Sequence, residues 1–85
     1  MTQGERIREV RKALGLTLEK FGEKIGMKKN SVSQLENGKN SVTEQVVKAI
    51  CREYNVDYMW LTTGDGEMFI DTDDGFIERI DRIMA

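Results

Sequence analysis

The sequence predicts an all-α fold, a bundle of five short helices followed by a short C-terminal extension that carries an additional helix. Two observations support this class. Apolar residues recur three or four positions apart through residues 1–64, and capping residues or glycines stand at most of the places where these runs begin and end. With 85 residues, the chain forms one domain that is too small for a large catalytic cavity.

The first two helices each have a start signal and a stop signal. Thr2 and Glu5 form a capping-box pattern, and Gly15 can supply a left-handed stop. The apolar positions between them are Ile7, Val10, Ala13 and Leu14. Thr17 can cap the second helix and Gly26 can end it, which makes this helix about two turns long. Its packing face consists of Leu18, Phe21, the small Gly22 and Ile25.

The third and fourth helices are separated by a short polar loop. The third helix begins at Asn30 and is closed by Gly38. Ser41 and Glu44 form a second capping-box pattern, which predicts that the fourth helix starts after Ser41 and runs to about Tyr54. Its apolar positions are Val42, Val46, Val47, Ala49 and Ile50.

The fifth helix, Tyr58 to Thr63, is capped by Asp57. Its large apolar side chains are Trp60 and Leu61. The turn Gly64-Asp65-Gly66 leads the chain out of this helix. The chain therefore divides into a helical domain, residues 1–64, and an acidic extension, residues 65–85.

The extension contains an apolar run, Met68 to Ile70, then the acidic linker "DTDDG" and a second amphipathic pattern. One face of that pattern consists of Phe76, Ile77, Ile80, Ile83 and Met84. Three uses of this face remain open. It can pack on its own domain, form a self-complementary dimer contact, or lie on a membrane surface, and its lack of basic excess argues against the last.

The composition excludes several classes of function. The chain has no apolar run long enough to span a membrane and no signal-peptide pattern, so we expect it in the cytoplasm. Cys51 is the single cysteine and lies among apolar residues, which favours buried packing over a reactive thiol. The sequence has no histidine, and "DTDDG" begins a calcium-loop pattern that fails at Phe76 and Arg82. We predict no metal, no cofactor and no enzymatic activity.

The charge is unevenly distributed, which matters more for partners than the net charge of −2. Residues 1–64 hold eleven Lys/Arg and eight Asp/Glu, a balance of +3. Residues 65–85 hold two and seven, a balance of −5. Because local charge decides whether phosphates are attracted, the sequence is compatible with nucleic-acid binding by residues 1–64.

The third helix has two dissimilar faces. At about 100° per residue, Val32 and Leu35 point to one side. The opposite side carries Lys29, Asn30, Ser33, Gln34 and Asn37. Such a face can simply be solvated, but amides can also pair with adenine N6/N7 and lysine with guanine O6/N7. A short helix and a tight turn at Gly26 precede it, as in a helix-turn-helix.

The segments "LTLEKFGEKIG" and "NSVSQLENGK" resemble the phage repressor and Cro type of helix-turn-helix domain, the lambda-repressor-like or XRE family. The resemblance covers residues 4–64, including the closing "VDYMWLTTG". It implies a five-helix bundle in which helix 3 enters the major groove and helix 2 lies across the DNA backbone. Residues 1–64 would then be the DNA-binding domain.

The resemblance also implies roles for individual residues. The base readers would be Lys29, Asn30, Ser33 and Gln34. The DNA-backbone contacts would be Thr17, Lys20, Lys28, Asn37, Lys39, Asn40 and Ser41. An ion pair between Arg11 and Glu36 would brace helix 3 on helix 1. The chain departs from the family pattern where Leu18 replaces a glutamine and Lys28 replaces a Ser or Thr cap.

The predicted function is transcription regulation, as a repressor of the phage, prophage or mobile-element type. The protein would bind a near-palindromic double-stranded operator as a homodimer, with half-sites about 34 Å apart. The alternative is an antitoxin-like or other protein-interaction module, in which the acidic tail binds a protein partner.

Overall fold

The structure, a computed structural model, describes residues 1–70 and folds them into five α-helices. They are α1 (Gln3–Ala13), α2 (Leu18–Lys24), α3 (Lys29–Glu36), α4 (Glu44–Tyr54) and α5 (Tyr58–Thr63). The predicted all-α bundle is confirmed. The predicted additional helix and the dimerisation candidates lie outside the described residues: Phe76, Ile77, Ile80, Ile83 and Met84. No helix in residues 1–70 is both long and apolar enough to cross a membrane.

Most helix ends follow the predicted local chemistry. Thr2 Oγ1 accepts from the Glu5 amide at 3.1 Å while Glu5 accepts from the Thr2 amide at 2.7 Å, which completes the capping box. Thr17 caps α2, and Asp57 caps α5 by accepting from the amide of Met59 at 2.8 Å. The predicted stops of α1 to α3 and of α5 all have a positive φ: Gly15, Gly26, Gly38 and Gly64.

The predicted capping box of α4 is wrong. Thr43, not Ser41, is the cap: its backbone is extended and its hydroxyl accepts from the Val46 amide at 3.3 Å. Ser41 and Val42 therefore precede the helix, although Val42 still packs on the core from the loop. Ser41 and Thr43 can both cap a helix, and the local sequence pattern does not distinguish between them. At α3 the start is Lys29, one residue before the predicted Asn30.

The core lies where α1, α2 and α3 meet the last two helices. Its buried apolar members are Ile7, Val10, Phe21, Val32, Leu35, Val47, Ile50, Val56 and Leu61. The Phe21 ring stacks on Tyr54 with a centroid distance of 4.8 Å, and the Tyr54 hydroxyl donates to the Phe21 carbonyl at 2.8 Å. A methyl group on Gly22 would collide with the Met27 carbonyl, so the predicted small residue is confirmed as a packing requirement.

Arg6 of α1 holds the end of α5. Its guanidinium is buried and donates to the carbonyls of Leu61 at 2.9 Å and Thr62 at 3.0 Å, and to that of Met1 at 2.9 Å. The last carbonyls of a helix have no partner within the helix, and a cation there also offsets the helix dipole. Arg6 therefore satisfies the C-terminus of α5, a role that the sequence pattern did not predict.

The chain after α5 returns to the end of α4. The Asp57 amide donates to the Met68 carbonyl at 2.9 Å, and the Ile70 amide donates to the Asn55 carbonyl at 2.8 Å. These bonds flank the isolated antiparallel bridge between Val56 and Phe69. The apolar run at the start of the extension thus covers part of the core.

Candidate nucleic-acid interface

The turn between α2 and α3 fixes the angle between the two helices. The Gly22 carbonyl accepts from the amides of Ile25 at 3.0 Å and Met27 at 2.8 Å. Gly26 between them has φ 73°, a left-handed conformation that residues with a Cβ atom rarely adopt. The chain therefore reverses within three residues and packs α3 directly against α2, in a helix-turn-helix arrangement.

The two faces of α3 have different environments. Val32 is fully buried and Leu35 is 4% exposed, so these two side chains anchor the helix in the core. The predicted base readers Lys29, Asn30 and Gln34 are exposed and Ser33 is half-buried. The structure therefore brings the predicted readers together on one accessible polar face.

The loop after α3 folds back on the same face. The amides of Lys39 at 2.9 Å and Asn40 at 3.3 Å both donate to the main-chain carbonyl of Gln34. The Asn37 side chain donates to Ser33 Oγ at 3.4 Å, and that of Asn40 donates to Gln34 Oε1 at 2.7 Å. Three predicted backbone contacts, Asn37, Lys39 and Asn40, are thus exposed beside the predicted readers.

The predicted ion pair between Arg11 and Glu36 is present. Arg11 Nε and Nη2 donate to the two carboxylate oxygens at 2.7 and 3.1 Å, and Nη1 donates to the Leu16 carbonyl at 3.1 Å. The Glu36 side chain is 5% exposed and that of Arg11 is 16% exposed. The hydrogen bond to Glu36 raises the pKa of Arg11, so the guanidinium stays charged.

A second contact between α1 and α3 occurs at Gly4. A methyl group at this position would collide with the main-chain carbonyl of Leu35. The two helices therefore approach each other closely at Gly4, and the Arg11 ion pair joins them farther along α1. Gly4 was not singled out from the sequence because its partner lies on a different helix, and nothing in its local pattern indicates that contact.

The start of α2 carries two more of the predicted backbone contacts. Thr17 is exposed, and its hydroxyl accepts from the Lys20 amide at 3.1 Å. The hydroxyl proton remains available as a donor, because capping uses only a lone pair. Lys20 is exposed as well, whereas Leu18 is half-buried against the core and presents no polar group.

Exposed lysines give this surface its positive charge. The ion pairs between described residues, 1–70, are Arg11–Glu36 and Arg52–Glu53, so no lysine forms an ion pair with another residue of this range. The exposed lysines near α3 are Lys20, Lys28, Lys29 and Lys39. Two glutamates, Glu19 and Glu23, line a groove together with Lys28 and Lys29. Their negative charge partly offsets the positive charge of the lysines at the start of α3. Lys28 makes no side-chain cap of the helix, and Ser41 is exposed in the loop.

Comparison with known proteins agrees with this geometry. A family model described as "Helix-turn-helix" matches residues 7–61, which cover most of the chain from α1 to α5. The most similar solved structures include the P22 c2 repressor in complex with synthetic operator 9T. That likeness has a TM-score of 0.70 and 26% identity, and covers 76% of this chain and 98% of the repressor chain.

Curated relatives match about two thirds to four fifths of this chain. A propionyl-CoA carboxylase regulator of Cereibacter sphaeroides is 37% identical over 67 residues, 79% of this chain and 14% of the regulator. Antitoxin PezA of Streptococcus pneumoniae is 38% identical over 56 residues, 66% of this chain and 35% of the antitoxin. A transcriptional regulator for the conjugative element R391, from Providencia rettgeri, is 33% identical over 79% of this chain and 31% of its own length. The chain thus spans about a third or less of these relatives.

Proposed function

We propose that this chain, which belongs to the helix-turn-helix family, is a sequence-specific double-stranded DNA-binding regulator of transcription. The observation that carries the proposal is the two-faced α3. Its inner side is fixed by Val32 and Leu35, and its outer side presents Lys29, Asn30 and Gln34 to solvent. A firmly anchored helix with amide and lysine side chains on its free side has the donors and acceptors that base edges in the major groove require.

In the proposed complex, α3 lies in the major groove and α2 crosses the DNA backbone. Base edges meet Lys29, Asn30, Ser33 and Gln34. Phosphates meet the exposed groups that flank the helix: Thr17, Lys20, Lys28, Asn37, Lys39, Asn40 and Ser41. Phosphate contacts fix the register of the protein on the duplex, and base contacts supply the sequence preference.

The proposed assembly is a homodimer on a near-palindromic operator. A single α3 spans few base pairs, and a second copy about 34 Å away on the same side of the duplex doubles the site that is read. We propose that the dimer acts as a repressor of the kind found in phages and mobile elements. The similarity to a regulator of a conjugative element and to the P22 c2 repressor supports this role. Occupation of promoter DNA would be sufficient for repression.

A second candidate function is that of an antitoxin, favoured by the similarity to antitoxin PezA. In this role the acidic extension, residues 65–85, would bind a basic protein partner while the helical domain binds DNA. A bound partner would protect the extension from protease, whereas α1 to α5 would be resistant with or without it.

The decisive experiment is selection of the protein's preferred sites from random duplex DNA at about physiological salt. A two-fold-symmetric site with half-sites one helical turn apart would support a dimeric regulator. An enriched single half-site would contradict the dimer and retain sequence-specific binding. No enrichment would refute sequence-specific regulation and leave the partner-binding candidate.

A further inference from the structure

Gln34 is joined to the loop after α3 through both its main chain and its side chain. Its carbonyl accepts from the Lys39 and Asn40 amides, and its side-chain Oε1 accepts from Asn40 Nδ2 at 2.7 Å. The main-chain bonds place Asn40 beside Gln34, so the side-chain bond closes a compact ring between them. In this arrangement the Gln34 amide oxygen faces Asn40, and both side chains lie on the same exposed surface.

This contact changes the hydrogen bonds that Gln34 can offer to DNA. An amide side chain has an oxygen with two lone pairs and a nitrogen with two N–H groups. The bond from Asn40 uses one lone pair. Within residues 1–70 the Gln34 amide nitrogen has no hydrogen-bond partner, so both of its N–H groups are free. The end of Gln34 that remains available is mainly a donor.

We propose that Asn40 is a positioning residue that determines which base Gln34 reads. By holding Oε1, Asn40 directs the Gln34 N–H groups to the base edge, and Gln34 then favours a base that presents acceptors. Guanine offers N7 and O6 side by side, whereas adenine offers N7 next to an N6 donor. Guanine is therefore preferred at this position, although an unrestrained glutamine commonly pairs with adenine through both its oxygen and its nitrogen.

The inference rests on the proposed function, because it requires α3 to lie in the major groove. Asn40 keeps its second N–H, which can still donate to a phosphate. A loss of overall affinity in an Asn40 variant would therefore not distinguish positioning from backbone contact. The base preference at the Gln34 position does distinguish them, since a phosphate contact carries no sequence information.

Asn40→Asp provides the test. A carboxylate at position 40 can only accept, so Gln34 can pair with it only by turning its N–H groups toward the loop and its oxygen toward the DNA. The preferred base should change from guanine to one that presents a donor, adenine or cytosine, with a shift in relative affinity of about tenfold. The position itself is identified as the one where Gln34→Ala loses its preference.

Asn37→Asp is the matched control. It introduces the same charge at the same end of α3, but Asn37 bonds to Ser33 rather than to Gln34. Both variants should lose affinity by a similar factor through repulsion of phosphates, and only Asn40→Asp should change the Gln34 base. Thermal melting of each variant shows that the fold is retained, as expected for two exposed positions.

The outcomes separate the inference from the proposed function. If the parent protein selects a site and both variants show the parent's base at the Gln34 position, the positioning role is overturned while sequence-specific binding stands. If Gln34→Ala relaxes no position, Gln34 does not read a base and the inference fails. If the parent selects no sequence at all, the proposed function fails and the inference fails with it.

Discussion

Two arginines of α1, Arg6 and Arg11, carry the same charge as the lysines around α3 but differ from them in what they contact. Arg6 and Arg11 donate to carbonyls and to a carboxylate inside the fold, whereas Lys29 and Lys39 are exposed and form no ion pair within residues 1–70. A guanidinium has five donors in a fixed plane and suits several acceptors, while an ammonium is a hydrated point charge. The Arg11–Glu36 pair cancels within the balance of +3 for residues 1–64, but the buried Arg6 is counted in it, so this balance overstates the charge available to phosphates.

The largest expected effect on folding comes from Arg6. Arg6→Ala would leave the carbonyls of Met1, Leu61 and Thr62 without their donor, in a site where the arginine is 8% exposed. We expect a loss of about 3–5 kcal/mol in the free energy of unfolding, measured by urea denaturation, since each buried unsatisfied group costs about 1–3 kcal/mol. Arg8→Ala, at an exposed position of the same helix, should stay within about 0.5 kcal/mol. Equal losses of stability in the two variants would show that the hydrogen bonds of Arg6 do not specifically stabilise the end of α5.

Arg11 should have the next largest effect, and it should act on stability rather than on base preference. Arg11→Ala leaves the buried Glu36 carboxylate without its cation, at a cost of about 2–3 kcal/mol. This cost is below that of a fully buried pair because water reaches Arg11. Glu36→Gln should cost less, since its amide oxygen can still accept from Arg11. An Arg11→Ala protein with the parent's melting temperature would contradict the proposed brace.

The sequence predicted the parts of the fold that depend on nearby residues. The capping residues Thr2, Thr17 and Asp57 act within three positions, so their patterns identify three helix starts correctly. Arg6 acts on residues 55 and 56 positions away, and no local pattern indicates which arginine will lie under α5. The choice of Thr43 over Ser41 was also missed, because both residues can cap a helix and their local patterns are alike.

The candidate site also combines features that follow from the local sequence with features that depend on tertiary structure. The exposure of Lys29, Asn30 and Gln34 follows from helical periodicity, which a sequence contains in full. The bond between Gln34 and Asn40 depends on how the loop after α3 folds, so the sequence suggested Asn40 only as a backbone contact. Periodicity predicts which residues face outward, and tertiary structure determines which hydrogen bonds their polar atoms form with one another.

The Gln34→Ala variant tests whether a neutral side chain on the exposed face of α3 affects DNA binding without affecting stability. Gln34→Ala should cost about 1–3 kcal/mol of affinity on the selected site and relax the preference at one base position. The melting temperature should hardly change, because the position is exposed and alanine favours helices. Gln45→Ala, an exposed glutamine of α4, should change neither quantity. An equal loss of affinity on random DNA would show that Gln34 contacts no base.

Lys39 should have the smallest effect, which is best seen in the salt dependence of binding. Lys39→Ala removes one proposed phosphate contact, so the slope of log affinity against log salt should become shallower by about 0.9, equally for selected and random DNA. Lys48→Ala removes an exposed lysine from α4, outside α2, α3 and the loop, and should leave the slope unchanged. If the two variants have the same slope, Lys39 does not contact a phosphate. The division between Arg6 and Arg11, which stabilise the fold, and the lysines that we propose to bind DNA would then not extend to the loop.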